Sequence, residues 1–136
     1  MTDVFHQAAG PQASFTCTTN SGQVAIAAYT GSARDVVIPA AMDGLPVTII
    51  KKDAFLNSTV LTSVSIPDSV TNIGISSFKN CASLTNAMVG NGVTAIADYA
   101  FQGCPQLSSV TIPPNVTKIG FAAFEHCSKL PRITIP

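Results

Sequence analysis

The side chains best suited to chemistry in this 136-residue chain are its cysteines, and three of them, Cys81, Cys104 and Cys127, are spaced 23 residues apart while Cys17 stands alone. None forms a CxxC pair, and the two histidines, His6 and His126, lack the spacing that zinc ligation requires. Equal spacing implies one repeated structural slot. Stacked slots would bring neighbouring Cα atoms to about 5 Å, a separation that disulfides tolerate. Side chains stacked in parallel rarely present the torsion a disulfide needs, however, so the expectation is buried, reduced thiols acting as small hydrophobes. Glu125-His126-Cys127 suggests a nucleophile with a base, yet adjacent side chains diverge, and His126 shares its slot with Asn57, Asn80 and Gly103, an exposed turn. The six aspartates and one glutamate fall in different columns, so no carboxylate pair for acid–base work emerges. Gly90-Asn91-Gly92 precedes a strand and lacks the lysine and helix of a phosphate loop. Thr48, Thr71, Thr94 and Thr117 run single file on a sheet that should curve, unlike a flat ice-binding array. No catalytic residue, cofactor or metal site is predicted.

The elements that carry these residues follow from the same period. Residues 61–83 (LTSVSIPDSVTNIGISSFKNCAS), 84–106 (LTNAMVGNGVTAIADYAFQGCPQ) and 107–129 (LSSVTIPPNVTKIGFAAFEHCSK) align without gaps. A partial copy follows at 130–136, and residues 33–60 fit the frame with an insertion between Pro39 and Val47. In each copy two apolar columns lie one residue apart, such as Val64 and Ile66, which is the period of a strand with one buried face. Pro39, Pro67, Pro113 and Pro136 end that strand, with Gly90 in the same slot. A second short extended segment pairs Val47, Val70, Val93 and Val116 with Ile50, Ile73, Ile96 and Ile119. Phe55, Phe78, Phe101 and Phe124 come next, and from each phenylalanine apolar positions recur at i, i+3 and i+6, which predicts a turn of 3₁₀ or α helix. One copy cannot bury its apolar side alone, but stacked copies bury a continuous core. The expected fold is therefore a mostly-β α/β solenoid with about five parallel strands, right-handed by the general preference for right-handed crossovers. The phenylalanines form its spine, with Cys81, Cys104 and Cys127 as a ladder beside it.

These columns resemble the BspA-like, treponemal-type leucine-rich repeats. The motif LxxVxIPxxVTxIGxxAFxxC is matched nearly in full at 107–127 and 61–81. The copy at 84–106 departs at Ala87, Val89, Gly90 and Ala97, and the first copy lacks the leucine, the glycine (Lys51) and the cysteine (Ser58). Residues 15–31 look like the hairpin that precedes such arrays, with strands at Phe15–Thr19 and Val24–Tyr29, and AAMDGLPVT at 40–48 matches the usual first-repeat loop. The resemblance implies a leucine-rich-repeat superhelix divided into a tail (1–14), a capping hairpin (15–32) and repeats (33–60, 61–83, 84–106, 107–129 and the partial 130–136). It also implies a role in adhesion or protein interaction at the cell surface or after secretion. Met1–Gln7 itself lacks the basic start and apolar stretch of a signal peptide, which reads as an intracellular chain or a mature form.

Composition narrows the partners. Seven basic and seven acidic residues give zero net charge, which argues against nucleic acid and anionic membranes. No apolar run approaches a membrane span. Charged residues are only 10%, and 13 serines and 14 threonines supply much of the polarity instead. The residues flanking the middle apolar column of each first strand must point outward: Asp35 and Val37, Ser63 and Ser65, Asn86 and Met88, Ser109 and Thr111, Arg132 and Thr134. This row varies while the inward columns repeat, so it is the candidate surface for a protein ligand, and the module is expected to be non-enzymatic. The alternative is a building block that assembles head to tail with copies of itself, because a last repeat exposes core and strand edge.

Overall fold

The computed structural model describes residues 3–8, 14–131 and 133. A mostly-β parallel solenoid of about four turns is formed by two sheets. Each turn contributes one strand to each sheet. Sheet B comprises β4 (Asp35–Val37), β7 (Ser63–Ser65), β9 (Asn86–Met88) and β11 (Ser109–Thr111), paired in parallel in the order β11-β9-β7-β4. Sheet A contains the second strands, β6 (Leu45–Ile50), β8 (Asn72–Ile73), β10 (Ala95–Ile96) and β12 (Lys118–Ile119), also parallel. The fifth expected strand, in the partial repeat, lies outside the described residues.

Sheet A continues into β3 (Gln23–Tyr29), β2 (Ser14–Asn20) and β1 (Asp3–Ala8). β2 and β3 form an antiparallel hairpin whose turn, Ser21-Gly22, has φ of 53° and 77°, the left-handed pair that favours a tight two-residue connection. β3 then pairs in parallel with β6, so that hydrogen bonding runs unbroken from hairpin to repeats. Asp3–Ala8, within the segment expected as a tail, is instead a strand paired to β2 from Asp3↔Thr19 to Ala8↔Ser14. The insertion forms a small hairpin of β5 (Ala41–Met42) with β6 around Asp43-Gly44. It buries Met42 against Cys17, whose thiol lies 3.4 Å from the thioether sulfur.

The predicted helical turn after each phenylalanine is not present; the described residues contain no helix. The reason is where the amides go. Leu56 N–H and Ser58 N–H donate three residues back, to Asp53 and Phe55. The amides between them leave the turn: Phe55 N–H donates to Ser77 O at 2.6 Å and Asn57 N–H to Lys79 O at 2.9 Å. Half the donors are thus committed to the next repeat, which an α or 3₁₀ helix would forbid. The chain reverses through left-handed residues at two fixed slots, Asp53, Ser76, Tyr99 and Ala122 in one and Asn57, Asn80, Gly103 and His126 in the other.

The core is columnar. Phe55, Phe78 and Phe101 are fully buried, and Phe124, in the last complete repeat, is half-buried. Successive rings stack at 4.7, 5.0 and 5.3 Å with interplanar angles of 15°, 3° and 3°. Tyr29 extends the spine into the hairpin, 5.1 Å from Phe55, with its hydroxyl donating to Ala33 O. Leu61, Leu84 and Leu107 and the paired valine and isoleucine columns fill the remainder.

Candidate functional site

The outward row predicted from the sequence lies on sheet B in two lines. Register aligns Asp35, Ser63, Asn86 and Ser109 in one, and Val37, Ser65, Met88 and Thr111 in the other. Between them the inward residues Val36, Val64 and Ala87 are buried and Val110 is half-buried, so alternation along each strand sends the flanking residues to the surface. Val37 is 70% exposed and Met88 52%, with half-buried Ser65 between them. In the polar line Ser63 donates to Asp35 Oδ1 at 2.7 Å and Thr62 donates to the same oxygen at 3.1 Å. Those hydroxyls, Ser63 first, hold the Asp35 carboxyl below its ordinary range, so it is an anion fixed at one end of the row. Arg132 and Thr134 lie outside the described residues.

The hydroxyls beside the row have a structural assignment. Thr62 shares its one proton between Asp35 Oδ1 and Arg34 O, while Thr85 donates to Thr62 O at 3.0 Å and Ser108 to Thr85 O at 3.3 Å, each bridging to the turn before. A second ladder runs along sheet A, where Thr71 donates to Thr48 O and Thr117 to Thr94 O. These hydroxyls lock one turn to the next.

The cysteine slot faces the core. Cys81, Cys104 and Cys127 are buried free thiols, as is Cys17. Each of the three donates to the carbonyl of the phenylalanine one turn earlier: Cys81 to Phe55 O, Cys104 to Phe78 O and Cys127 to Phe101 O, at 3.2, 3.2 and 3.1 Å. Neighbouring thiols act on Cys104 in opposite senses, Cys127 lowering and Cys81 raising its proton affinity; with burial added, the thiol is pushed up to about 12. Cys127 is raised as well, first by its contact with Cys104 and then by burial. Burial, aided by the Asp43 carboxylate, lifts Cys17 to about 11. These are protonated thiols, the opposite of an activated nucleophile. His126 points to solvent with its Nε2 3.8 Å from Glu125 Oε1, while the Cys127 sulfur points inward, so the three adjacent residues assemble no dyad. Among the described residues no group of three or more histidine, cysteine or carboxylate side chains is placed to hold a metal ion.

Two surface features escaped the sequence reading. One is the aromatic pair of half-buried Tyr99 and exposed Phe121, with ring centroids 5.7 Å apart and Phe121 71% exposed. The other is a trench of about 540 Å³ across sheet A, lined by residues that include Lys51, Lys52, Ile75 and Lys118. The isoleucine-glycine step of the motif was the available signal for the trench, because after Lys51 it marks a column with no side chain larger than a methyl group.

A solenoid with stacked phenylalanines, thiol ladder and proline-ended strands defines a leucine-rich repeat of the 23-residue kind. Residues 29–136 match the family described as BspA type leucine rich repeat region, in six copies, and the chain belongs to that family. It is a repeat-protein interaction module. Among solved structures it is similar to a leucine rich cell surface protein of Faecalibacterium prausnitzii (35% identity, TM-score 0.82), covering 97% of this chain and 37% of that one. A leucine-rich repeat protein of Bacteroides capillosus is similar at 28% identity and TM-score 0.81, covering 96% of this chain and 98% of that one. The T. pallidum leucine rich repeat protein is similar at 28% identity and TM-score 0.78, covering 85% of this chain and 66% of that one. The chain therefore spans little more than a third of the F. prausnitzii protein. Among curated proteins no match is found. No helix among the described residues is long and apolar enough to cross a membrane.

Proposed function

We propose that this chain is the adhesive or partner-binding unit of a cell-surface protein and that it engages a protein ligand through the outward row of sheet B. The observation that carries the reading is the contrast within each strand. The inward position stays small and apolar (Val36, Val64, Ala87, Val110), whereas the outward positions change chemistry at every turn. Two exposed apolar side chains, Val37 and Met88, flank Ser65 in one line, with a fixed anion at Asp35 beside them. Exposed apolar side chains set among polar ones suit a protein-binding patch. A cell-surface setting is supported by the F. prausnitzii relative, which is a cell surface protein. The reading is non-enzymatic, because the row offers no convergent polar groups in an enclosed pocket.

The test is capture with the intact chain as bait against a variant carrying Asn86→Lys, Met88→Lys and Ser109→Lys. The variant should keep its far-ultraviolet circular dichroism spectrum and lose the partner. Undiminished capture would remove the row from the binding surface. Particle size rising with concentration in light scattering, with no captured partner, would favour end-to-end assembly instead.

A further inference from the structure

The trench on sheet A is a consequence of the fold's tightest contacts. Its middle column is Lys51, Gly74, Ala97 and Gly120, and at Gly74 and Gly120 consecutive turns meet too closely for a side chain. A Cβ on Gly74 would sit 2.7 Å from Lys52 N, and one on Gly120 would sit 2.4 Å from Asp98 N. Where alanine occupies the column the stack loosens: the Ala97 amide lies 3.2 Å from Ile73 O, against 2.8 Å for Gly74 to Ile50 and Gly120 to Ile96. With no long side chains along its middle after Lys51, the surface is left hollow. Ile49, Asn72, Ala95 and Lys118 flank it on one side, and Lys52, Ile75 and Asp98 on the other.

Its charge is one-sided. Lys51, Lys52 and Lys118 line the trench; none has an ion-pair partner among the described residues, and Lys51 Nζ donates to Thr18 Oγ1 at 3.4 Å. The single lining carboxylate, Asp98, accepts the Phe121 N–H at 2.7 Å through Oδ1, so three cations face one anion. Between the cations the lining is mostly apolar, with Asn72 and Asp98 the polar exceptions, and Ile75 is 45% exposed. Lys51 and Lys52 stand three strand spacings from Lys118, about 14 Å at the usual 4.8 Å per strand. An extended chain covers that distance in about four residues.

We propose that this trench binds an extended peptide segment of a partner protein, laid across the strands, with carboxylates at i and i+4 and an apolar residue at i+2, the three positions that share one face of an extended chain. The outer carboxylates meet Lys52, with Lys51 beside it, at one end and Lys118 at the other, and the apolar residue at i+2 lies against Ile75, Ala95 and Ala97. This surface is separate from the sheet B row, so either can fail without the other.

The experiment measures fluorescence anisotropy of a labelled, end-blocked peptide, Gly-Glu-Ser-Ile-Ser-Glu-Gly, against the full chain. Saturable binding is expected, weakening as salt rises from about 50 to about 300 mM. A Lys52→Glu, Lys118→Glu variant should bind the peptide at least about tenfold more weakly and should gain affinity for the version with both glutamates replaced by lysine. The variant bearing Asn86→Lys, Met88→Lys and Ser109→Lys should bind the acidic peptide as the parent does. Equal binding by parent and charge-reversed chains would overturn the proposal, as would absence of saturable binding to the parent. It would also fall if light scattering showed self-association that the charge reversal abolishes, since a second copy would then be the occupant. Tighter binding of an unstructured sulfated polysaccharide than of the peptide would overturn it too.

Discussion

The Cys104 thiol donates to the carbonyl oxygen of Phe78, 26 residues earlier, at 3.2 Å. The relationship recurs one turn back and one turn on, and explains why the slot holds cysteine and not alanine or valine. The slot is buried within the apolar core, yet a backbone carbonyl faces it. A thiol fills the volume as a hydrophobe would and supplies a weak donor.

Cys104→Ala should therefore cost about 1–3 kcal/mol, combining a lost donor with a small cavity. The thiols should also resist an alkylating reagent in the folded chain and react together on unfolding. Mass spectrometry after a timed pulse of iodoacetamide checks this. Rapid native labelling of Cys81 or Cys104, or a bond between them, would contradict the ladder.

Stability should fall in alkali. The ordinary thiol value is 9.0, and the folded chain raises Cys17 to about 11 and Cys104 to about 12. Between those values the unfolded chain holds fewer protons than the folded one, so the free energy of unfolding decreases as pH rises. The thiol contribution is whole below pH 9 and is lost as pH climbs through 11 and 12. Tyr29 adds in the same direction, burial outweighing its bond to Ala33 O. Urea midpoints at pH 8 and at pH about 10.5 should differ, and a Cys17→Ala, Cys104→Ala variant should flatten the difference.

The spine should be most sensitive at its middle. Phe101 is fully buried between Phe78 and Phe124, so Phe101→Ala should cost about 3–5 kcal/mol. Phe124→Ala should cost less, because that ring is half-buried, and Phe121→Ala, at 71% exposure, should leave stability within about 0.5 kcal/mol. Chemical denaturation of the three variants gives the order, and equal losses would contradict the stacking.

Stacked copies explain why so much was legible in the sequence. Each slot is packed against copies of itself, so the spacing of Phe78 and Phe101 already states that they touch. Tyr29 was missed because it stands 26 residues before Phe55, off the 23-residue frame, although it fills the same spine. The absent helical turns were missed because apolar residues at i, i+3 and i+6 also suit a chain of turns. Only the destination of the Phe55 and Asn57 amides separates the two, and that is a contact between repeats. The row on sheet B was read from alternation alone. The trench was not, because its depth depends on how closely neighbouring turns approach at Gly74 and Gly120.

Two imperfect slots should accept improvement. The column before the phenylalanines reads Ala54, Ser77, Ala100 and Ala123, and Ser77 is fully buried with no hydrogen-bond partner for its hydroxyl. Burying that group unpaired costs about 1–3 kcal/mol. Ser77→Ala removes it and restores the residue its neighbours use, so the substitution should stabilise the chain by about 1 kcal/mol. Ala122 is the second case. Its φ of 53° lies in the left-handed region, where a Cβ crowds the following carbonyl at a cost of about 1–2 kcal/mol. Ala122→Gly relieves that strain but frees the unfolded chain, for a net gain of a few tenths of a kcal/mol to about 1. The slots lie on different turns and share no partner, so the two gains should add. Thermal melts of both single variants and the double would show this, and a destabilised Ser77→Ala would mean that the hydroxyl has a partner, such as a buried water.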